Sequence, residues 1–77
     1  MRVWRVGEKC RVTCEGRAVD AKVVLASLNG VSIIVEFDAI VAGYAGVMPL
    51  LWSEEDGAFK TIVGDGLRVV LAEPVSA

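Results

Sequence analysis

Turn-forming dipeptides divide this chain into short segments rich in β-branched residues. A glycine follows an acidic residue or an asparagine at four places: Glu15-Gly16, Asn29-Gly30, Asp56-Gly57 and Asp65-Gly66. Such pairs accept the positive φ angles of tight hairpins, and the valines and isoleucines between them suit a pleated strand. No window of about ten residues keeps apolar positions at helical spacing. The sequence therefore predicts an all-β fold.

The boundaries of the strands follow from these turns. We predict strands near residues 2–6, 9–14, 18–28, 31–37, 48–52, 58–63 and 67–72. Hairpin turns are expected at Asn29-Gly30 and Asp56-Gly57, and one short helical turn could fall within residues 38–46. Because 77 residues leave no room for a second core, residues 1–77 should form a single domain, with 73–77 as a frayed tail.

The central hairpin contains a conflict between two side-chain patterns. If Asn29-Gly30 is a two-residue loop, facing residues put Ala26 and Ile33 on the core side. Upstream, the solvated side chain of Lys22 would put Val23 on that side as well. Both patterns hold if a β-bulge near residues 23–25 switches the faces. The bulge leaves Leu25 and Ile34 as an exposed apolar pair.

Four segments carry a fold-level resemblance that spans nearly the whole chain: Gly7-Glu8-Lys9-Cys10-Arg11-Val12, Ala21-Lys22-Val23-Val24, Val35-Glu36-Phe37-Asp38 and Gly64-Asp65-Gly66-Leu67-Arg68-Val69. In this order the chain resembles an SH3-like small β-barrel of the Tudor or KOW type. The resemblance implies five to seven short antiparallel strands. It also implies a binding role, since Tudor domains read methylated side chains with aromatic cages and KOW domains bind RNA or ribosomal partners.

Positive charge is concentrated near the N-terminus. Six of the eight lysines and arginines lie within residues 1–22, although the net charge is −2 and the pI is about 4.9. An acidic domain is not typical of a dedicated nucleic-acid binder. The alternative is a basic strip with one stacking ring, formed by Arg2, Trp4, Arg5, Lys9, Arg11 and Arg17. An accessory protein of phage or mobile DNA origin is a second alternative.

The residue types argue against catalysis. Histidine is absent, which removes the commonest general base and metal ligand. Cys10 and Cys14 alternate with charged residues, so we expect both thiols to be buried. They lie about 13 Å apart along a strand, too far for a disulfide bond. We predict no catalytic residues, no metal site and no cofactor. With no signal sequence or apolar run long enough to span a bilayer, the expected location is the cytoplasm.

The apolar surface of the chain suggests self-association. Mean hydropathy is +0.56, high for a domain with so much surface relative to its volume. Residues 38–48 read as a long connection that is too apolar for free exposure, and they form either a lid over the barrel or a contact surface. We predict a homo-oligomer, most simply a dimer, with another protein as a further possible partner. The predicted contact residues are Leu25, Ile34, Tyr44 and Met48.

Overall fold

The described part of the chain folds into six antiparallel strands. The computed structural model describes residues 3–63 and 68–74, with side chains for residues 3–61. The strands are β1 (Lys9–Cys14), β2 (Arg17–Ala26), β3 (Ser32–Val41), β4 (Tyr44–Ser53), β5 (Ala58–Val63) and β6 (Arg68–Pro74). Each strand pairs with the next, and β1 also pairs with β6, so that the sheet closes into a barrel. The all-β prediction is confirmed, and six strands fall within the expected five to seven.

The predicted turns lie between these strands. Glu15-Gly16 joins β1 to β2, and both residues have positive φ. Asp56-Gly57 closes the connection between β4 and β5, where the Gly57 amide donates to the Ser53 carbonyl at 2.8 Å. The predicted turn at Asp65-Gly66 and the end of the predicted tail, residues 75–77, lie outside the described residues.

The core is formed by alternate residues of successive strands. Successive side chains of a strand point to opposite faces of the sheet, so every second one points into the barrel. The buried set is Trp4, Cys10, Val12, Cys14, Ala21, Val23, Ile33, Val35, Phe37, Val41, Met48, Leu50 and Phe59. Cys10 and Cys14 are both buried and unbridged, as predicted.

One end of the barrel is covered by the N-terminal segment. Residues 2–6 were expected in a strand, but the described part of this segment, residues 3–8, forms none. Trp4 is instead buried, with its ring edge-on to Phe59 at 6.4 Å between centroids. Two backbone hydrogen bonds attach the segment to β2, from the Gly7 amide to the Val23 carbonyl and from the Val23 amide to the Glu8 carbonyl. The lid of this barrel is therefore residues 3–8.

The predicted bulge in β2 is present. Ala26 faces Ile33 and Leu25 faces Ile34, but the register shifts before Val23, which faces Val35. The extra residue is Val24, and Lys22 consequently faces Glu36. The loop at Asn29-Gly30 is longer than predicted: Ser27 pairs with Ser32 through its amide, and residues 28–31 form the turn.

Residues 38–48 form a hairpin, so the prediction of a long connection with a helical turn is wrong. β3 continues to Val41, Ala42-Gly43 makes a two-residue turn, and β4 starts at Tyr44, which faces Val41. Ala42 has a φ of 50° and Gly43 a φ of 86°, the conformation of a tight hairpin turn. A second register irregularity lies between Glu36 and Ile40. The strand pairing shows that this segment is a hairpin and not a flexible loop.

Candidate interaction surface

Apolar side chains cover the outer side of the sheet where β2, β3 and β4 lie together. We call this surface the apolar face, and its residues are Leu25, Ile34, Val47, Pro49 and Leu51. Leu25 is 59%, Val47 49% and Leu51 61% exposed. Pro49 is exposed, and Ile34 is half-buried at the centre. The outward side of a barrel strand is ordinarily polar, so this part of the surface is unusual for a domain in water.

The strand register brings these residues together. Leu25 faces Ile34, and Ile34 faces Pro49 on the next strand, so the three form one row across the sheet. Leu51 lies one step to one side of this row, opposite Ser32, and Val47 lies one step to the other side, opposite Glu36. Side chains directly opposite on neighbouring strands are about 5 Å apart at Cβ. The five side chains therefore form one continuous patch.

Only part of the predicted contact set reaches this surface. Leu25 and Ile34 are cross-strand neighbours on it, as the bulge required. Tyr44 lies beyond the irregularity in β3, at the start of β4, where it is half-buried against the core. Met48 has no exposed surface, because it faces Val35 on the inner side of the sheet. The prediction of Met48 as a contact residue is therefore wrong, because Met48 belongs to the core.

The sequence reasoning missed the contribution of β4. Val47, Pro49 and Leu51 alternate with the buried Met48 and Leu50. This alternation is visible in the sequence, and it would have assigned three outward apolar residues once the strand was extended back through Val47. The assignment of residues 38–48 to a loop concealed it.

The predicted nucleic-acid strip is only partly on the surface, where Arg5, Lys9, Arg11 and Arg17 are exposed. Trp4 is buried under the barrel end, and Arg2 lies outside the described residues. Arg11 forms an exposed ion pair with Asp20, with Nε 3.2 Å from Oδ1. Lys9 faces Lys22, but Lys22 also faces Glu36. Acidic side chains therefore interrupt the positive charge along β1 and β2.

Burial and hydrogen bonding shift the pKa values of two side chains, Cys10 and Asp56. Burial raises the pKa of the Cys10 thiol from 9.0 to about 11, with a smaller contribution from the Glu8 charge. A thiol that stays protonated is a poor nucleophile and a poor metal ligand. Hydrogen bonds from Lys60 and then from Ser53 lower the pKa of Asp56, and these three residues stabilise the turn between β4 and β5.

Among the side chains described, no three from histidine, cysteine, aspartate and glutamate converge where they could hold a metal ion. Residues 3–63 and 68–74 contain no helix with the length and apolarity needed to cross a membrane. The chain matches no protein-family model, no curated protein and no solved structure.

Proposed function

We propose that this protein is a non-catalytic SH3-like barrel that acts as a protein-interaction module, and that its first partner is a second copy of itself. The apolar face is the observation that carries the proposal. It is continuous, it lies on the outer side of three strands, and its exposed side chains include Leu25 and Leu51. The closed six-stranded sheet and the bulged ten-residue second strand support the SH3-like assignment.

The energy available from this face favours a weak dimer. Full burial of a large apolar side chain contributes about 1.5–3 kcal/mol, so a half-exposed one contributes about 1 kcal/mol when covered. Five residues in each of two chains give at most about 10 kcal/mol, because Ile34 is already half-buried. Association itself costs about 4–15 kcal/mol. At the low end of that cost, about 4 kcal/mol, the net gain of about 6 kcal/mol corresponds to a dissociation constant on the order of 10–100 μM, which is the tightest association this face can support.

Self-association fits the surface better than nucleic-acid binding does. A nucleic-acid surface gains its affinity from uncompensated lysines and arginines, and β1 and β2 carry Asp20 beside Arg11. The ring proposed for base stacking, Trp4, is buried in the barrel. A fluorescence titration with a labelled oligonucleotide at low salt tests this alternative directly, and tight binding with a steep salt dependence would favour it.

The experiment that tests self-association is mass measurement by sedimentation equilibrium over a range of concentrations. The wild type should approach twice the chain mass of 8.2 kDa at high micromolar concentration. The double variant Leu25→Glu/Ile34→Lys places charges in the middle of the apolar face and should remain a monomer. A wild type that stays at the chain mass throughout contradicts the proposal.

A matched control separates this effect from a loss of folding. Thr13 and Ala18 are also an outward cross-strand pair, one half-buried and the other exposed. Thr13→Glu/Ala18→Lys introduces the same charges on β1 and β2 and should dimerise like the wild type. Thermal unfolding of both variants should show that each is folded. If both variants become monomers, the apolar face is not the contact.

A further inference from the structure

The residues around the apolar face are arranged symmetrically about one row. The central row is Leu25, Ile34 and Pro49. One step to one side, β4 carries Leu51 and β3 carries Ser32. One step to the other side, β4 carries Val47 and β3 carries Glu36. Apolar residues thus flank the row on β4, and polar residues flank it on β3.

Like β3, β2 carries a polar residue on each side of the central row. On β2, Ser27 lies on the Ser32 side of the central row, where its amide donates to the Ser32 carbonyl at 2.8 Å. Lys22 lies on the Glu36 side, directly opposite Glu36. The apolar face is therefore bordered by one charged pair at one edge and two hydroxyls at the other.

We propose that two copies of the chain pack face to face about a two-fold axis that runs along the central row, in the plane of contact. This inference rests on the proposed function and specifies its geometry. An isologous contact places the same patch of both copies together. Each residue of the central row then meets its counterpart, while Leu51 of one copy meets Val47 of the other.

Polar groups also find suitable neighbours in this arrangement. Glu36 of one copy lies against Ser32 of the other, and Lys22 lies against Ser27, so no like charges face each other. A two-fold axis along β3 would instead place Lys22 on Val47 and Ser27 on Leu51. That arrangement buries a charge against an apolar side chain without a partner, which is unfavourable. The distribution of polar and apolar residues selects the axis along the row.

Disulfide crosslinking distinguishes the two axes. Ser32→Cys protein is mixed with isotope-labelled Glu36→Cys protein under mild oxidation, and the products are identified by mass spectrometry. The axis along the row brings position 32 of one copy to position 36 of the other. The crosslink between the two variants should therefore exceed what random pairing gives. The native thiols, Cys10 and Cys14, are buried and should stay unreactive.

Each other outcome has a definite meaning. A dominant crosslink between two copies of Ser32→Cys overturns the proposed axis and supports the one along β3. A dimer by mass with no crosslink from either variant also overturns it, and places the contact elsewhere. A chain that remains a monomer by sedimentation contradicts the proposed function itself. Lys9→Cys, on the outer side of β1, serves as the control and should not crosslink in the proposed dimer.

Discussion

Cys10 shows how burial controls the chemistry of a single side chain in this barrel. It has no exposed surface, and burial raises the pKa of its thiol to about 11. In the unfolded chain the same thiol has its ordinary pKa of 9.0. The native state thus retains a proton that the unfolded state releases. The contribution of this thiol to the free energy of unfolding is therefore fully present below pH 9 and is lost as the pH rises toward 11.

This difference in pKa predicts a pH dependence that can be isolated by substitution. The free energy of unfolding of the wild type should fall relative to that of Cys10→Ala by about 2 kcal/mol between pH 8 and pH 11. Urea denaturation of both proteins at each pH measures it. If the free energies of unfolding of the two proteins change in parallel with pH, the Cys10 thiol has the same pKa in the native and unfolded states, which would contradict this explanation.

Trp4 is the residue for which interpretation and structure differ most. The sequence places it among arginines, which suggests an exposed stacking ring, but the folded chain packs it against Phe59. We expect Trp4→Ala to lower the free energy of unfolding by about 3–5 kcal/mol, because it removes a large buried side chain. Trp4→Phe should cost less, since it keeps a ring beside Phe59. If Trp4→Ala unfolds at the same urea concentration as the wild type, the segment does not cover the barrel end in solution.

At the scale of strands and turns, the Ala42-Gly43 hairpin requires a positive φ at Gly43. Gly43 has a φ of 86°, and a Cβ atom there would meet no other atom within 4 Å. Gly43→Ala should therefore destabilise the protein through the backbone alone, by about 1–2 kcal/mol. Gly43→Asn should cost less, because asparagine tolerates positive φ. Chemical denaturation compares the two, and equal losses would contradict this explanation.

The same turn explains why part of the fold could not be predicted. Asn29-Gly30 and Asp56-Gly57 predict hairpins because asparagine, aspartate and glycine favour turns. Ala42 carries no such signal, since alanine rarely adopts a positive φ. The glycines at 43 and 46 therefore read as a loop. The pairing of β3 with β4 fixes this turn, and that information lies in contacts distant along the chain.

The bulge at Val24 is the opposite case, because the sequence was sufficient. Solvation of Lys22 and burial of Ile33 fix the faces on the two sides of the bulge, and only an extra residue reconciles them. The exposed pair Leu25 and Ile34 followed from that reasoning. Pro49 and its neighbours on β4 did not, because their strand was assigned too short. The candidate surface was thus half predictable: the β2–β3 part was found and the β4 part was missed.

At the scale of the whole molecule, curvature limits what the apolar face can bind. A closed barrel presents a convex outer surface, so two copies packed as proposed would touch mainly along β3 and its two neighbours. An interface of this kind is smaller than the standard size of about 1,600 Å². Association should accordingly be weak and strongly dependent on concentration.

The most direct test of the apolar face as a self-association surface is a dilution series of amide NMR spectra, from about 1 mM to below the expected dissociation constant of roughly 10–100 μM. The amide signals of Leu25, Ile34, Val47 and Leu51 should shift on dilution, while those of Lys9, Arg11 and Thr13 on β1 should not. Shifts confined to β1, or spectra that never change while relaxation corresponds to a chain of 8.2 kDa, would contradict the central claim.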